Sequence, residues 1–184
     1  IEIPNLNENV KELLLSKASE DFDWSEISPT IFGAVFESTL NPETRRKGGM
    51  HYTSIENIHK VIDPLFLDEL NKEFEEIDSI SVIKTKREKL EKFQNRLANL
   101  TFLDPACGSG NFLTETYLSL RKLENKIIER LNTSKYEGQI LFGDENNNPI
   151  KVSISQFYGI EINDFAVTVA KTALWIAESQ MMKE

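Results

Sequence analysis

The sequence predicts an α/β fold in which a strand, a glycine turn and a helix are followed by a second strand ending in an acid, with a helical segment in front. Three observations predict it. First, Thr101-Phe-Leu103 reads as a short buried strand that Asp104-Pro105 ends, because Pro105 has no N–H to give a neighbouring strand. Ala106-Cys-Gly-Ser-Gly110 is then a turn of small side chains, and from Asn111 the apolar residues Phe112, Leu113, Tyr117 and Leu120 recur, with Thr116, at helical spacing. Second, Gln156-Phe-Tyr-Gly-Ile-Glu-Ile162 reads as another sheet strand, with Glu161 at its end. Third, residues 1–99 carry helical periodicity punctuated by caps and prolines. Strand, glycine turn and helix N-terminus together make a ligand cradle. The glycines allow close approach to the backbone, and the unpaired N–H groups of the first helical turn face the ligand.

In chain order, residues 8–20 read as a helix with Val10, Leu13, Leu14 and Ala18 on one face, interrupted by Asp21-Phe-Asp-Trp24. Ser28-Pro29 is a helix start, with Ser28 as N-cap and Pro29 in the first turn. The face that follows is Ile31, Phe32, Val35, Phe36 and Leu40, and Asn41-Pro42 ends it. A polar loop with Arg45, Arg46 and Lys47 leads to Gly49-Met-His-Tyr-Thr53. Thr53 and Glu56 have capping-box spacing, so Thr53 is expected to cap the next helix, which carries Ile55, Ile58, Val61 and Ile62. Asp63-Pro64 reads as a second cap and first-turn proline, so a break and restart are expected before Leu65, Phe66, Leu67, Leu70 and Phe74. Residues 80–99 form a helix with six basic residues, Lys84, Lys86, Arg87, Lys89, Lys92 and Arg96, read as a solvated face rather than a phosphate-contacting stripe. After the glycine turn a helix is expected over residues 111–131. Residues 139–142 and 150–154 read as a β-hairpin joined by a loop rich in turn residues. Asn163 or Asp164 caps the last helix.

Composition bounds the function. The 184 residues suit one ordinary domain, and 40% hydrophobic content suffices for a core. Neither a membrane-length apolar run nor a signal peptide is present, and Ile1 in place of methionine points to a partial chain. The lone Cys107 excludes an internal disulfide framework and fits a reducing, cytoplasmic setting. It reads as a small packed turn residue, not a nucleophile. No zinc-like spacing occurs, so no metal site is expected. The formal charge of −9 has the wrong sign for a self-sufficient DNA-binding domain.

The ligand is narrowed by what the turn lacks. A P-loop needs Lys-Ser or Lys-Thr after its last glycine, where Asn111-Phe112 stands. A dinucleotide fingerprint needs a third glycine where Leu113 stands. An acid beside the turn, Asp104, suits a ligand carrying an ammonium group. Asp104-Pro-Ala-Cys-Gly-Ser-Gly-Asn-Phe112 resembles the cofactor motif of adenine-N6 DNA methyltransferases, whose cofactor is S-adenosylmethionine. Tyr158-Gly-Ile-Glu-Ile162 resembles their second cofactor motif, and Gly49-Met-His-Tyr-Thr53 resembles the segment that precedes the glycine turn in the gamma class. The order of these motifs, with Ser28-Pro-Thr-Ile-Phe-Gly33 before them and Ala173-Leu-Trp175 after them, is similar to the MmeI-like, type IIG or IIL restriction–modification branch.

The resemblance implies the first half of a Rossmann-like S-adenosylmethionine-dependent methyltransferase sheet over residues 100–184, preceded by a helical segment over residues 1–99. It implies a cofactor site of Tyr52, Thr53, Asp104, Pro105, Ala106, Gly108, Gly110, Asn111, Phe112, Glu161 and Ile162. Glu161 would take the ribose hydroxyls, Ile162 the adenine face, and the turn with Asp104 the methionine portion. The 57 positions from Asp104 to Glu161 exceed the usual gap of about 20, which the long helix and hairpin explain. The family transfers methyl at an Asn/Asp-Pro-Pro-aromatic motif, and this chain contains none. The chain alone is therefore expected to be inactive, with no catalytic residue assigned within it, and to meet double-stranded DNA through parts of a larger bacterial protein. A methyltransferase acting on RNA or protein, and a helical interaction module with a vestigial cofactor fold, remain as alternatives.

Overall fold

The computed structural model describes residues 6–17, 27–31, 33–35, 53–137 and 149–182. Helix α1 spans Glu8–Leu15 and is capped by Asn7, whose side chain accepts from the Val10 N–H at 2.9 Å. The expected helix start at Ser28-Pro29 is corrected: Pro29 and Thr30 form a turn closed by the Ile31 N–H donating to the Ser28 carbonyl at 3.0 Å, helix begins at Ile31, and the Ser28 hydroxyl meets the Thr30 hydroxyl at 2.8 Å rather than capping the backbone. Helix α2 spans Ile55–Ile62, and its cap is Ser54, not Thr53. Ser54 has the extended backbone of a cap and accepts from the Asn57 N–H.

The expected break at Asp63-Pro64 does not occur. Asp63 is itself helical, and the chain widens into one π-helical turn, Asp63–Leu67, before α3, Asp68–Asp78. The wider turn absorbs the N–H that Pro64 lacks. Helix α4 spans Ile83–Asn99. Three of its basic residues are paired: Lys86 with Asp78, Arg87 with Glu91, and Arg96 with Glu73. These pairings neutralise part of the basic face and favour the solvated reading over a phosphate stripe.

Strand β1 is Phe102–Asp104 and β2 is Phe157–Gly159. They pair in parallel, with Phe102 opposite Phe157 and Asp104 opposite Gly159. Parallel neighbours need a crossover, and α5, Asn111–Glu137, provides it. Helix α6, Asp164–Met181, closes the described chain and is capped by Asn163, which accepts from the Phe165 and Ala166 N–H groups. No described helix is long and apolar enough to cross a membrane.

The expected hairpin is corrected in its second half. Residues 150–153 form no strand, and Ile154–Gln156 is a 3₁₀ turn. Residues 139–148 lie outside the described residues, as do Phe32, Phe36, Leu40 and the basic loop at Arg45-Arg46-Lys47. The donors that a strand would place in a ladder are already taken. The carboxylate of Glu124, fully buried on α5, accepts from the Lys151 N–H at 2.7 Å and the Val152 N–H at 3.1 Å. Gln156 then closes a capping box with Ser153 and donates to the Leu97 and Leu100 carbonyls at the end of α4.

One core joins α3, α4, α5, β2 and α6 through Leu70, Phe74, Leu90, Leu97, Leu120, Phe157 and Ala177. Phe102 stacks on Phe157 at 5.2 Å, and Tyr117 meets Phe157 edge-on at 5.6 Å. Burial pushes the Tyr117 hydroxyl pKa up to about 12. A second cluster of Ile58, Ile62 and Leu67 packs Phe112 against α2. The opposite face of the sheet is bare, with Leu103 63% and Tyr158 54% exposed. Parallel sheets are ordinarily covered on both faces.

Beyond the two backbone N–H groups, Glu124 accepts from Gln94 at 2.9 Å and pairs with the equally buried Arg121, which reaches the Met181 carbonyl at 3.3 Å. Glu124→Ala leaves Arg121 charged, buried and unpaired, so the unfolding free energy should fall by about 3–5 kcal/mol. Urea denaturation checks this; a loss under about 1 kcal/mol would show that water replaces the carboxylate.

Candidate functional site

The site grows from the way β1 ends. The Asp104 carbonyl still accepts from the Ile160 N–H at 2.9 Å, while its side chain turns back to accept from the Ala106 N–H at 3.0 Å. Cys107 N–H donates to the Ile160 carbonyl at 3.0 Å, so the turn stays tied to the extension of β2. Gly108 and Gly110 have φ of 52° and 78°, the left-handed region that other L-residues enter only with strain. The two glycines differ in what surrounds them. A Cβ on Gly108 would meet nothing within 4 Å, whereas one on Gly110 would lie 2.7 Å from the Ala170 Cβ of α6. Gly108 therefore faces open space, and Gly110 lets α6 press onto the turn. The Gly110 carbonyl accepts from the Thr114 N–H at 2.8 Å and opens α5. The N–H groups of Asn111, Phe112 and Leu113 find no acceptor among the described residues, as expected at a helix N-terminus.

Glu161 arrives beside this turn because β2 runs parallel to β1. Its carboxylate accepts from three backbone N–H groups: Gly108 at 2.9 Å, Ile162 at 2.7 Å and Asn163 at 2.9 Å. An ionised carboxylate has about four acceptor directions, so the backbone uses most of them. Glu161 is thus a clasp between turn and strand end as well as a candidate ligand group. Ile162 beyond it is 98% exposed, an apolar side chain covered by nothing in the described residues.

Pro105 and Ala106 are exposed on the rim of the turn, and Phe112 is half-buried against Ile58 and Ile62. Thr53 is half-buried one residue before the Ser54 cap, and Tyr52 lies outside the described residues. The structure therefore brings together the residues from Asp104 to Phe112 with Glu161 and Ile162, and sets Thr53 at the head of the helix that packs on Phe112. Cys107 is packed, as expected: a Cβ on Gly159 would fall 2.6 Å from its Sγ. Burial, then the nearby Asp104 and Glu161 carboxylates, push the thiol pKa up, which disfavours the reactive thiolate. Among the described residues no group of His, Cys, Asp or Glu could hold a metal ion.

Sequence reasoning missed one neighbour of the turn. A Cβ on Gly33 would stand 2.5 Å from Ser109 Oγ and 2.6 Å from Asn111 Oδ1. The N-terminal segment holding Gly33 is tied to α6 by Gln180, which donates to the Ile27 carbonyl at 2.8 Å. Among the described residues Asn111 Oδ1 and Thr114 Oγ1 are buried without a hydrogen-bond partner, so the head of α5 presents polar atoms with capacity to spare. No local signature in the sequence marks this approach; Ser28-Pro-Thr-Ile-Phe-Gly33 enters the sequence reading only through the order of the motifs.

An open glycine turn, an acid at the end of each of two adjacent parallel strands and a helix N-terminus define the class: a helix-rich α/β domain with a two-stranded parallel sheet. A sequence model of the family described as MmeI, DNA-methyltransferase domain, matches residues 80–184. The chain belongs to the MmeI DNA-methyltransferase domain family. It is 47% identical to DNA methyltransferase A of Bacillus subtilis (strain 168) over 171 residues, covering 93% of this chain and 18% of that protein. It is 28% identical to a putative type II restriction enzyme and methyltransferase of Methanocaldococcus jannaschii, covering 96% of this chain and 16% of that protein. The structure of the type IIL restriction-modification enzyme MmeI in complex with DNA superposes with a TM-score of 0.78 at 44% identity, over 97% of this chain and 22% of that one. The chain thus spans less than a fifth of the length of these curated relatives.

The two glycines separate strain from packing. Gly108→Ala should cost only the left-handed strain, about 1–2 kcal/mol. Gly110→Ala should cost more, because it adds a clash with Ala170. Thermal denaturation of both variants checks the order; equal melting temperatures would refute the contact between α6 and the turn.

Proposed function

We propose that this chain is the S-adenosylmethionine-binding part of a DNA methyltransferase that modifies adenine at N6 in double-stranded DNA, in restriction–modification or phage defence in a bacterial cytoplasm. The observation that carries the proposal is the junction of the Asp104–Gly110 turn with Glu161, in a chain of the MmeI family. Residues 100–184 would be the first half of a Rossmann-like sheet and residues 1–99 a helical platform for it. The bare face at Leu103 and Tyr158 supports a sheet that is only part of a larger one.

The residues fit the cofactor chemically. The empty space over Gly108, the unpaired N–H groups at the head of α5 and the uncovered Ile162 leave room, donors and an apolar face side by side. The bound cofactor would supply an electrophilic methyl group on a sulfonium. Asp104 would hold the ammonium, with Pro105, Ala106, Gly108 and Gly110 shaping the turn around the methionine portion. The N–H groups at Asn111 and Phe112, and the loop at Tyr52 and Thr53, would favour its carboxylate. Glu161 would exchange its bond to the Gly108 N–H for the ribose hydroxyls, and Ile162 would cover one adenine face.

The target base and the DNA would be held elsewhere in the protein. These residues contain no Asn/Asp-Pro-Pro-aromatic motif, and their charge of −9 repels phosphate. Methyl transfer therefore needs polypeptide beyond them.

Glu161→Gln in the full-length protein should weaken S-adenosylmethionine binding about tenfold to a hundredfold by calorimetry, the loss of charge-assisted hydrogen bonds. Glu129→Ala, an exposed change on α5, should leave it unchanged. Equal affinity for Glu161→Gln and wild type would show that Glu161 is only a clasp.

A further inference from the structure

His59 and Glu115 have no role in the cofactor reading, yet they form a half-buried tie beside it. His59 Nδ1 lies 2.7 Å from Asp63 Oδ1 on the π-helical turn, and Nε2 lies 3.1 Å from Glu115 Oε1 on α5. A ring with a carboxylate at each nitrogen can donate to both only when both nitrogens carry protons, as the imidazolium. The Glu115 side chain is 6% exposed, and His59 is the one charge partner it has among the described residues. Glu115 follows Asn111 by four residues, so the two share a face of α5 one turn apart. On the same stretch Phe112 packs against Ile58 and Ile62 of α2. The first two turns of α5, which set the glycine turn, are therefore held by α2 through one apolar and one ionic contact.

Resting on the cofactor reading, we propose that His59 is a positioning residue for that site: bridging Asp63 and Glu115, it locks α2 against the head of α5 and so fixes the glycine turn in its binding geometry. The acids facing the ring are Asp63 and Glu115; Lys60 and Glu56, on the same helix, pair with each other at 3.0 Å on its exposed side. The hydrogen bond to Asp63 first, and that to Glu115 next, raise the His59 pKa above its ordinary 6.5 against the opposing effect of burial. The tie is complete below that ordinary value and is lost as pH rises through the raised one. Above it the neutral ring donates to one carboxylate and turns a lone pair on the other, and Glu115, the more buried, has least water to replace the bond. Cofactor affinity falls across the same window.

The test is calorimetry of S-adenosylmethionine binding to the full-length protein from about pH 6 to about pH 9, with thermal melts alongside. Wild type should weaken about two- to thirtyfold as pH rises through the His59 transition. His59→Gln should bind weakly at low pH and lack that transition. Glu115→Gln, which removes one acid but keeps an acceptor, should move the transition to lower pH. A purely structural role would lower the melting temperature of His59→Gln and leave its pH profile on that of wild type, and that result overturns the proposal. Should His59→Gln fail to fold, Glu115→Gln decides: an unmoved transition is equally fatal. Wild type that binds no cofactor at any pH overturns the cofactor reading and this inference with it, a result distinct from binding with an unaltered profile.

Discussion

The fold depends on one buried carboxylate. Glu124, in the middle of α5, accepts from α4 through Gln94, from the chain entering β2 through the Lys151 and Val152 N–H groups, and from Arg121. Arg121 in turn holds the end of α6 at the Met181 carbonyl. A two-stranded sheet of three-residue strands has few ladder bonds with which to set its own register. The register comes instead from the helices. Gln156 ties the start of β2 to the carbonyls at the end of α4, just before β1 begins. Aromatic stacking of Phe102 on Phe157 then fixes which residues lie opposite one another. A charge buried this deeply is costly unless every donor and acceptor is met, and that demand makes the arrangement specific.

That register is what brings the site together. With Asp104 opposite Gly159, the chain leaving β2 passes close enough for Glu161 to clasp Gly108. Gly159 leaves room for the Cys107 sulfur, and Gly110 leaves room for Ala170. The glycine turn is thus gripped by β2 and α6 while Gly108 stays open. A one-residue slip would move Glu161 away from the turn and put a side chain where Cys107 packs.

The sequence revealed what is local and hid what is distant. The two strands, the turn, a cap at Asn163 or Asp164 and the acid at Glu161 are legible because each rests on neighbours in the chain, and the structure assigns the cap to Asn163. The cap at α2 was misplaced by one residue because Thr53 and Ser54 both offer a hydroxyl, and the pattern does not choose between them. The strand read over residues 150–154 rests on Ile150-Lys-Val-Ser-Ile154, of which Val152 is buried and Ile154 partly so. That reading fails at the ladder, because the Lys151 and Val152 N–H groups donate to the Glu124 carboxylate, 27 and 28 residues earlier in the chain. Asp63-Pro64 has the composition of a break, but Asp63 is occupied by His59 and the helix widens instead. The clasp from Glu161 to Gly108, the tie from His59 to Glu115 and the approach of Gly33 to Asn111 each join segments 50 or more residues apart, with no signature in either segment.

In the proposed function the turn and the end of β2 form one cofactor site. A crystal structure of the full-length protein with S-adenosylhomocysteine tests it most directly. The ligand should lie over Gly108, with its ribose hydroxyls on Glu161, its adenine against Ile162 and its ammonium on Asp104. A ligand bound away from both strand ends, with the Glu161–Gly108 bond intact and Ile162 still uncovered, would contradict it.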